Sequence, residues 1–299
     1  MRGWRLVLLA GLAVILLWGL RTSSPPRPSS ELVQSEPMAS NLGEEFDPSQ
    51  CGGIDCRIEW VGDVPKVPKV QLASAKARPP AHVKLDNPNA PKVSKNGEVA
   101  DAVIMLRGVD LKKSRPWRHE HTTIEIVDNE LRVRPALGTG RIGIVRRGAT
   151  VEMVSREVGE HSIRARGASF FNQMLFVKDQ AVTRKMPDEG IVDLNSGTWY
   201  YWMRAYLVVS DHPYVGVSGD DGKVVLDQLP AGEYEVICWK ANWHIGEIER
   251  DREWLSQNGV VFAPPVEKRM RVRVTAGQTS SIAFKLQASD FAPKVIADR

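Results

Sequence analysis

The stretch Arg115-Pro-Trp-Arg-His-Glu-His121 places two imidazoles one residue apart, His119 and His121. On a strand, residues i and i+2 share a face, so both rings would point the same way, an arrangement that can suit a metal ion. Glu120 would face away, and no third ligand stands near in sequence. A solvated loop ahead of the β-like run at 122–127 accounts for the pair more simply. Elsewhere there is no nucleophile beside a base, no paired carboxylates in a known motif, no Gly-rich phosphate loop and no H-E-x-x-H. Catalysis is therefore not expected.

A second chemical signal is charge. Residues 131–166 hold eight arginines, Arg132, Arg134, Arg141, Arg146, Arg147, Arg156, Arg164 and Arg166, against Glu152, Glu157 and Glu160. Alternation as in Leu131-Arg-Val-Arg134 would align some of them on one face. Such a face suits an acidic glycan, a lipid headgroup or an acidic protein. A solvated outer sheet face is the plainer reading. The candidates for ligand contact are Arg132, Arg134, Arg146 and Arg147. Aromatic residues form a third signal, at Trp199 to Trp202 with Tyr206, and at Trp239, Trp243 and Trp254. Trp202 and Trp239 are assigned to cores, and Trp199 and Trp243 are kept as contact candidates.

These residues sit in a chain of 299 with net charge +4, too weakly basic to argue for nucleic-acid binding. Residues 1–21 begin with Arg2 and Arg5 and continue with apolar or small residues from Leu6 to Leu20. That is the pattern of a signal peptide or an uncleaved signal anchor, and both place the rest outside the cytoplasm. Residues 22–50 are rich in Ser, Pro and Glu and read as a disordered tether. Cys51 and Cys56 flank Gly-Gly-Ile-Asp and are expected to form a disulfide, the alternative being two free thiols. Cys238 reads as a buried core thiol.

From Cys56 onward, short β-like runs alternate with turn signals at about the 8–12 residue spacing of a β-sandwich. The expectation is an all-β protein of two sandwiches in tandem, at 51–210 and 211–290, with a tail at 291–299. Pro213 in His212-Pro-Tyr214 would fix the joint, with Tyr214 packed across it. Residues 244–258 interrupt the strand pattern, and Ile245, Ile248 and Leu255 could give them a helical face.

The second unit, HPYVGVSGDDGKVVLDQLPAGEYEVICW, resembles the carboxypeptidase regulatory-like domain, a small transthyretin-like sandwich grouped with carbohydrate-binding-like folds. The first resembles the cupredoxin-like Greek-key domains of secreted bacterial proteins, through RRGATVEMV, His161 and WMRAYLVVSDHPY. A blue-type copper site uses two imidazoles, a thiolate and a weak axial Met. The resemblance implies C-x-x-H-x-x-M on the last loop. Aligning on WMRAY puts Met203 at the Met position, Tyr200 at the His and Gly197 at the Cys. A one-residue slip offers Ser196 or Thr198. His161 stands where the earlier His belongs. The loop keeps His161 and Met203 as vestiges, and no copper or other cofactor is expected. The resulting expectation is a non-enzymatic extracytoplasmic binding or structural module. Its partners would be an envelope polysaccharide or protein, and the membrane through the N-terminus, without nucleic acid. The alternative is a copper-binding electron-transfer or copper-handling protein with an atypical site.

Overall fold

The computed structural model describes residues 43–71, 84–118, 120–197, 200, 202–250 and 257–291. In chain order the strands are β1 (Cys51–Trp60), β2 (Val70–Gln71), β3 (Lys84–Leu85), β4 (Val103–Arg107), β5 (Thr122–Val127), β6 (Glu130–Arg134) and β7 (Ile142–Arg146). Next come β8 (Thr150–Ser155), β9 (His161–Gly167), β10 (Phe171–Leu175), β11 (Val182–Lys185), β12 (Gly190–Ser196) and β13 (Arg204–Ser210). The series closes with β14 (Val215–Val217), β15 (Lys223–Pro230), β16 (Gly232–Lys240), β17 (Ile245–Arg250), β18 (Gln257–Phe262), β19 (Val266–Val274) and β20 (Thr279–Leu286). Among the described residues no helix is long and apolar enough to cross a membrane. The segment 1–21 lies outside them.

Four larger sheets stack in layers: β15-β1-β20, β14-β4-β16-β19, β10-β9-β12-β13-β7 and β11-β8-β5-β6. Three cores separate them. Between the first two sheets Ile54, Ile58 and Phe284 meet Ile104, Val236 and Val272. Between the last two, Ile163, Leu194 and Leu207 meet Ile124, Val151 and Met153. A third core joins the middle sheets, where Val103, Val215 and Trp239 face Ile142, Tyr206 and Val208. This explains β13, whose every residue is buried. Alternate side chains enter different cores, so a continuous apolar run is what a strand covered on both faces requires. Cys238 lies fully buried in the first core, as expected.

Strand pairing groups the chain differently from the consecutive split at 210/211. β1 runs parallel to β20 and antiparallel to β15, and β4 lies between β14 and β16. Residues 51–107 thus complete the sandwich formed by residues after 214, and the 122–210 sandwich is an insertion between them. Alternation is a local property, whereas pairing depends on contacts across the whole chain. Tyr214 is fully buried at the joint, accepts from the Arg115 amide at 2.8 Å and donates to the Gln228 carbonyl at 2.8 Å.

The structure departs from the sequence expectations at four further places. Cys51 and Cys56 are free thiols on the single strand β1. Five residues of extended chain separate their Cα atoms by about 16 Å, beyond the ~7 Å reach of a disulfide. Residues 43–50, read as tether, are bonded in place: the Gly43 and Glu45 amides donate to Leu111 and Lys112 carbonyls, and Asp47 caps a 3₁₀ turn at Pro48–Gln50. The 244–258 stretch is no helix where it is described, since β17 and β18 form an antiparallel hairpin. Phe291, assigned to the tail, is fully buried against Trp243 with ring centroids 4.2 Å apart.

Candidate functional site

His161 opens β9, and its ring turns inward with Ile163 because alternate residues share a face. It is 3% exposed. Its Nε2 lies 3.5 Å from a Glu157 carboxylate oxygen. Its Nδ1 is buried with no hydrogen-bond partner among the described residues. The Tyr200 ring stands 5.6 Å away, and Trp202 meets Tyr200 edge-on at 5.2 Å. Met203 is buried and belongs to the core between the last two sheets. The β12–β13 loop therefore does bring Tyr200 to His161, as the copper-loop alignment implies.

The thiolate position behaves otherwise. The Gly197 amide donates to the Ser162 carbonyl at 3.2 Å, continuing the register that pairs Ser196 with Ile163. A Cβ on Gly197 would collide with Ser162 Oγ and sit 2.6 Å from Asn172 Oδ1. Ser162 and His161 are consecutive on a strand and point to opposite faces. A side chain at 197 would thus point away from His161. Thr198, Trp199 and Tyr201 lie outside the described residues. Here the donors are one imidazole and one thioether, joined by a phenol that is a poor copper ligand. They do not fit a blue-type copper site, which needs a thiolate and a second imidazole.

Burial pushes the His161 imidazole below the ordinary histidine range, and Glu157 opposes that. Burial does the same to His212. Both rings are favoured neutral, and unfolding lets them take up protons. Stability is then complete above the unfolded value of about 6.5 and falls as pH drops from there through the folded values. An NMR titration is expected to place His161 below its unfolded value of about 6.5. A higher result would mean that Glu157 outweighs burial.

The arginines are mostly spent internally. Arg132 pairs with Asp128 at 3.1 Å and Glu130 at 3.3 Å. Arg134 and Arg156 each hold Glu125 at 2.7 Å, and these bonds keep that carboxyl below the usual range. Arg147 donates to the Pro187 carbonyl at 3.1 Å, and Arg146 is engaged as well. Arg164 and Arg166 both grip Glu249 of β17. Arg204, 4% exposed, bonds Asp193 and the Val260 carbonyl of β18 and lies 4.6 Å from the Phe262 ring centroid. Much of the positive charge thus straps the β17–β18 hairpin onto the five-stranded sheet. Trp243, kept as a contact candidate, is buried within the first core, and no ligand can stack on it there. His121 pairs with Glu152 at 3.6 Å, and His119 lies outside the described residues.

One further cluster was not foreseen. Glu189, Asp211 and His212 offer ligand atoms within 4.8 Å of one another, in a cavity of about 490 Å³ with Leu106, Ile191, Val208 and Ile237 in its wall. Glu189 and Asp211 are far apart in sequence and meet because Gly190 pairs with Val209. No local pattern signals that. The imidazole is already occupied, however. The Tyr214 amide donates to its Nδ1 at 3.3 Å, which leaves the proton on Nε2, 3.2 Å from the Leu106 carbonyl.

No family profile and no curated protein matches the chain. Among solved structures it is similar to a point mutant of amicyanin in its reduced state, at 22% identity over 30% of this chain and 82% of that one, with a TM-score of 0.24. It is similar to a purple cupredoxin from Nitrosopumilus maritimus, at 18% identity over 29% of this chain and 98% of that one, with a TM-score of 0.24. It is also similar to a copper-containing nitrite reductase from Thermus scotoductus, at 17% identity over 36% of this chain but 25% of that one, with a TM-score of 0.25. Each likeness spans about a third of this chain.

Proposed function

We propose that this chain is a non-enzymatic binding or structural module of the cell envelope, held outside the cytoplasm by its N-terminal segment or released by cleavage there. Its ligand is an envelope polysaccharide, an acidic polymer or another envelope protein. The observation that carries this reading is the end of the sandwich at His161. A tyrosine ring caps the imidazole where a copper site would need a second donor, and Met203 is taken up by core packing. The three consecutive cores support a rigid scaffold, and rigidity suits a presenting or spacing element. Arg134, whose side chain is 65% exposed, keeps part of the basic face in reach of an acidic polymer.

A copper-handling role is the second reading, and the buried, unpartnered Nδ1 of His161 favours it. Copper stoichiometry separates the two. The full-length chain, purified in detergent, is titrated with Cu(II) and Cu(I) and dialysed, then assayed for metal and by EPR. Less than about a tenth of an equivalent retained is the expected result, given a donor set without thiolate. A full equivalent that His161→Ala abolishes would replace the module reading with the copper one.

A further inference from the structure

The sheet edges of this protein are not alike. Edge strands leave backbone amides and carbonyls ready to pair with another chain, and charged side chains, lysine above all, are the usual protection. The four larger sheets end in β15, β20, β14, β19, β10, β7, β11 and β6. Of those with four residues or more, every one but β10 carries a lysine or arginine: Lys223, Lys285, the Arg271 group of β19, Arg146, Arg184 and Arg132. β10 carries none, and the whole stretch from Gly167 to Val177 is uncharged. Its ends bear Phe170, 84% exposed, and Phe176, 65% exposed. Arg184 of β11 donates to Gln173 Oε1 at 3.1 Å and lies 5.5 Å from the Phe171 ring centroid. Those contacts are with side chains, on the face opposite to Phe170 and Phe176.

The spacing of those two exposed rings has a geometric consequence. They lie one residue beyond each end of β10 and six residues apart, so both project from one face when pairing extends the strand by a residue at each end. Two identical antiparallel strands related by a two-fold axis must place one residue opposite its own copy. With Gln173 at the axis, Phe170 falls opposite Phe176 of the second copy, and Phe171 falls opposite Leu175. Both exposed phenylalanines then form cross-strand aromatic pairs, twice over by symmetry. The nearest charge in the sequence, Lys178, falls opposite Ala168, so the register brings no like charges together.

We propose that β10 is a self-association edge, at which two copies of this chain pair antiparallel about Gln173 and continue the five-stranded sheet across the two-fold axis. The area argues for a reversible contact. At about 150–250 Å² per ring, the two exposed phenylalanines of each copy contribute roughly 300 Å². With the edge backbone added, the pair of copies buries on the order of 800–1,000 Å² in total, the low end for a specific interface. The association is therefore weak and concentration-dependent.

Gln173→Cys tests the register directly. Residues directly opposed in an antiparallel pair have Cα atoms about 4.5–5.5 Å apart, within disulfide range. The native thiols Cys51, Cys56 and Cys238 are buried and give little background. The full-length chain in detergent is oxidised mildly and run on a non-reducing gel. Gln173→Cys is expected to form covalent dimer about tenfold faster than Asn172→Cys, whose own copy is out of register, and adding Phe176→Lys should cut its rate about tenfold, or ~1.4 kcal/mol of association. Equal rates at 172 and 173, or a Gln173→Cys chain that stays monomeric, would overturn the proposal. The monomeric result would leave the edge to a strand from a different protein.

Discussion

Replacing Asp193 by alanine is expected to destabilise the fold by about 2–4 kcal/mol, read as a lower denaturant midpoint with an unchanged slope. Arg204 carries the reason. It opens β13 almost wholly buried, with Asp193 as its counter-charge at 2.7 Å. Its Nε has no partner among the described residues, so the guanidinium is already short of one bond. Removing the carboxylate leaves a buried cation facing only the Val260 carbonyl and the Phe262 ring. Asp193 is itself about a third exposed, which lets water screen part of the loss and sets the figure below that of a fully buried pair. The double variant Asp193→Ala, Arg204→Met should recover much of the stability, because no lone charge remains. A cost under about 0.5 kcal/mol for Asp193→Ala would mean that solvent reaches the guanidinium and that the strap does not depend on the pair.

Lys240→Met is expected to act in the opposite direction. Lys240 ends β16 and is buried beside Asp101. Its ammonium donates to the Asp101 carbonyl at 3.3 Å, and burial brings its pKa down to about 8. The unfolded lysine titrates near 10.4, so the charged amine costs the folded state on the order of 3 kcal/mol at neutral pH. The sign follows from proton counting. Between about pH 8 and 10.4 the unfolded chain binds more protons, so stability rises with pH across that window. Below pH 8 both states are protonated and the full cost stands. Methionine removes the charge with a similar shape, and Asp101 keeps Lys92 and Thr139 as partners. The variant should be more stable than the natural protein by about 1–3 kcal/mol at pH 7, and the difference should shrink towards pH 10. Urea titrations across that range read it, and subtracting the two proteins cancels the other groups that titrate there. A variant less stable at every pH would show that the Asp101 bond outweighs burial of the charge.

How much of this was visible beforehand varied by element. The strand run at 122–127 was legible because alternation records which faces are covered. The capping of His161 by Tyr200 was half legible. The spacing from Met203 located Tyr200, but the face on which position 197 lies depends on the β9–β12 register, which no spacing rule supplies. Trp243 misled because an aromatic residue reads alike in a core and on a surface. The stacked Phe291 that covers it comes from the far end of the chain. Glu189 and Asp211 were invisible as neighbours for the same reason.

The sequence by itself determined the all-β class, the buried Cys238 and the arginine excess of 131–166. These are properties of composition and of short-range pattern, which each segment carries alone. Only the tertiary structure decided that β1 sits beside β20, that the arginines grip a hairpin rather than face solvent together, and that Cys51 and Cys56 cannot meet. The physical reason is that pairing energy belongs to contacts between distant segments. A strand's alternation says that one face is covered, and only the assembled sheets say by what.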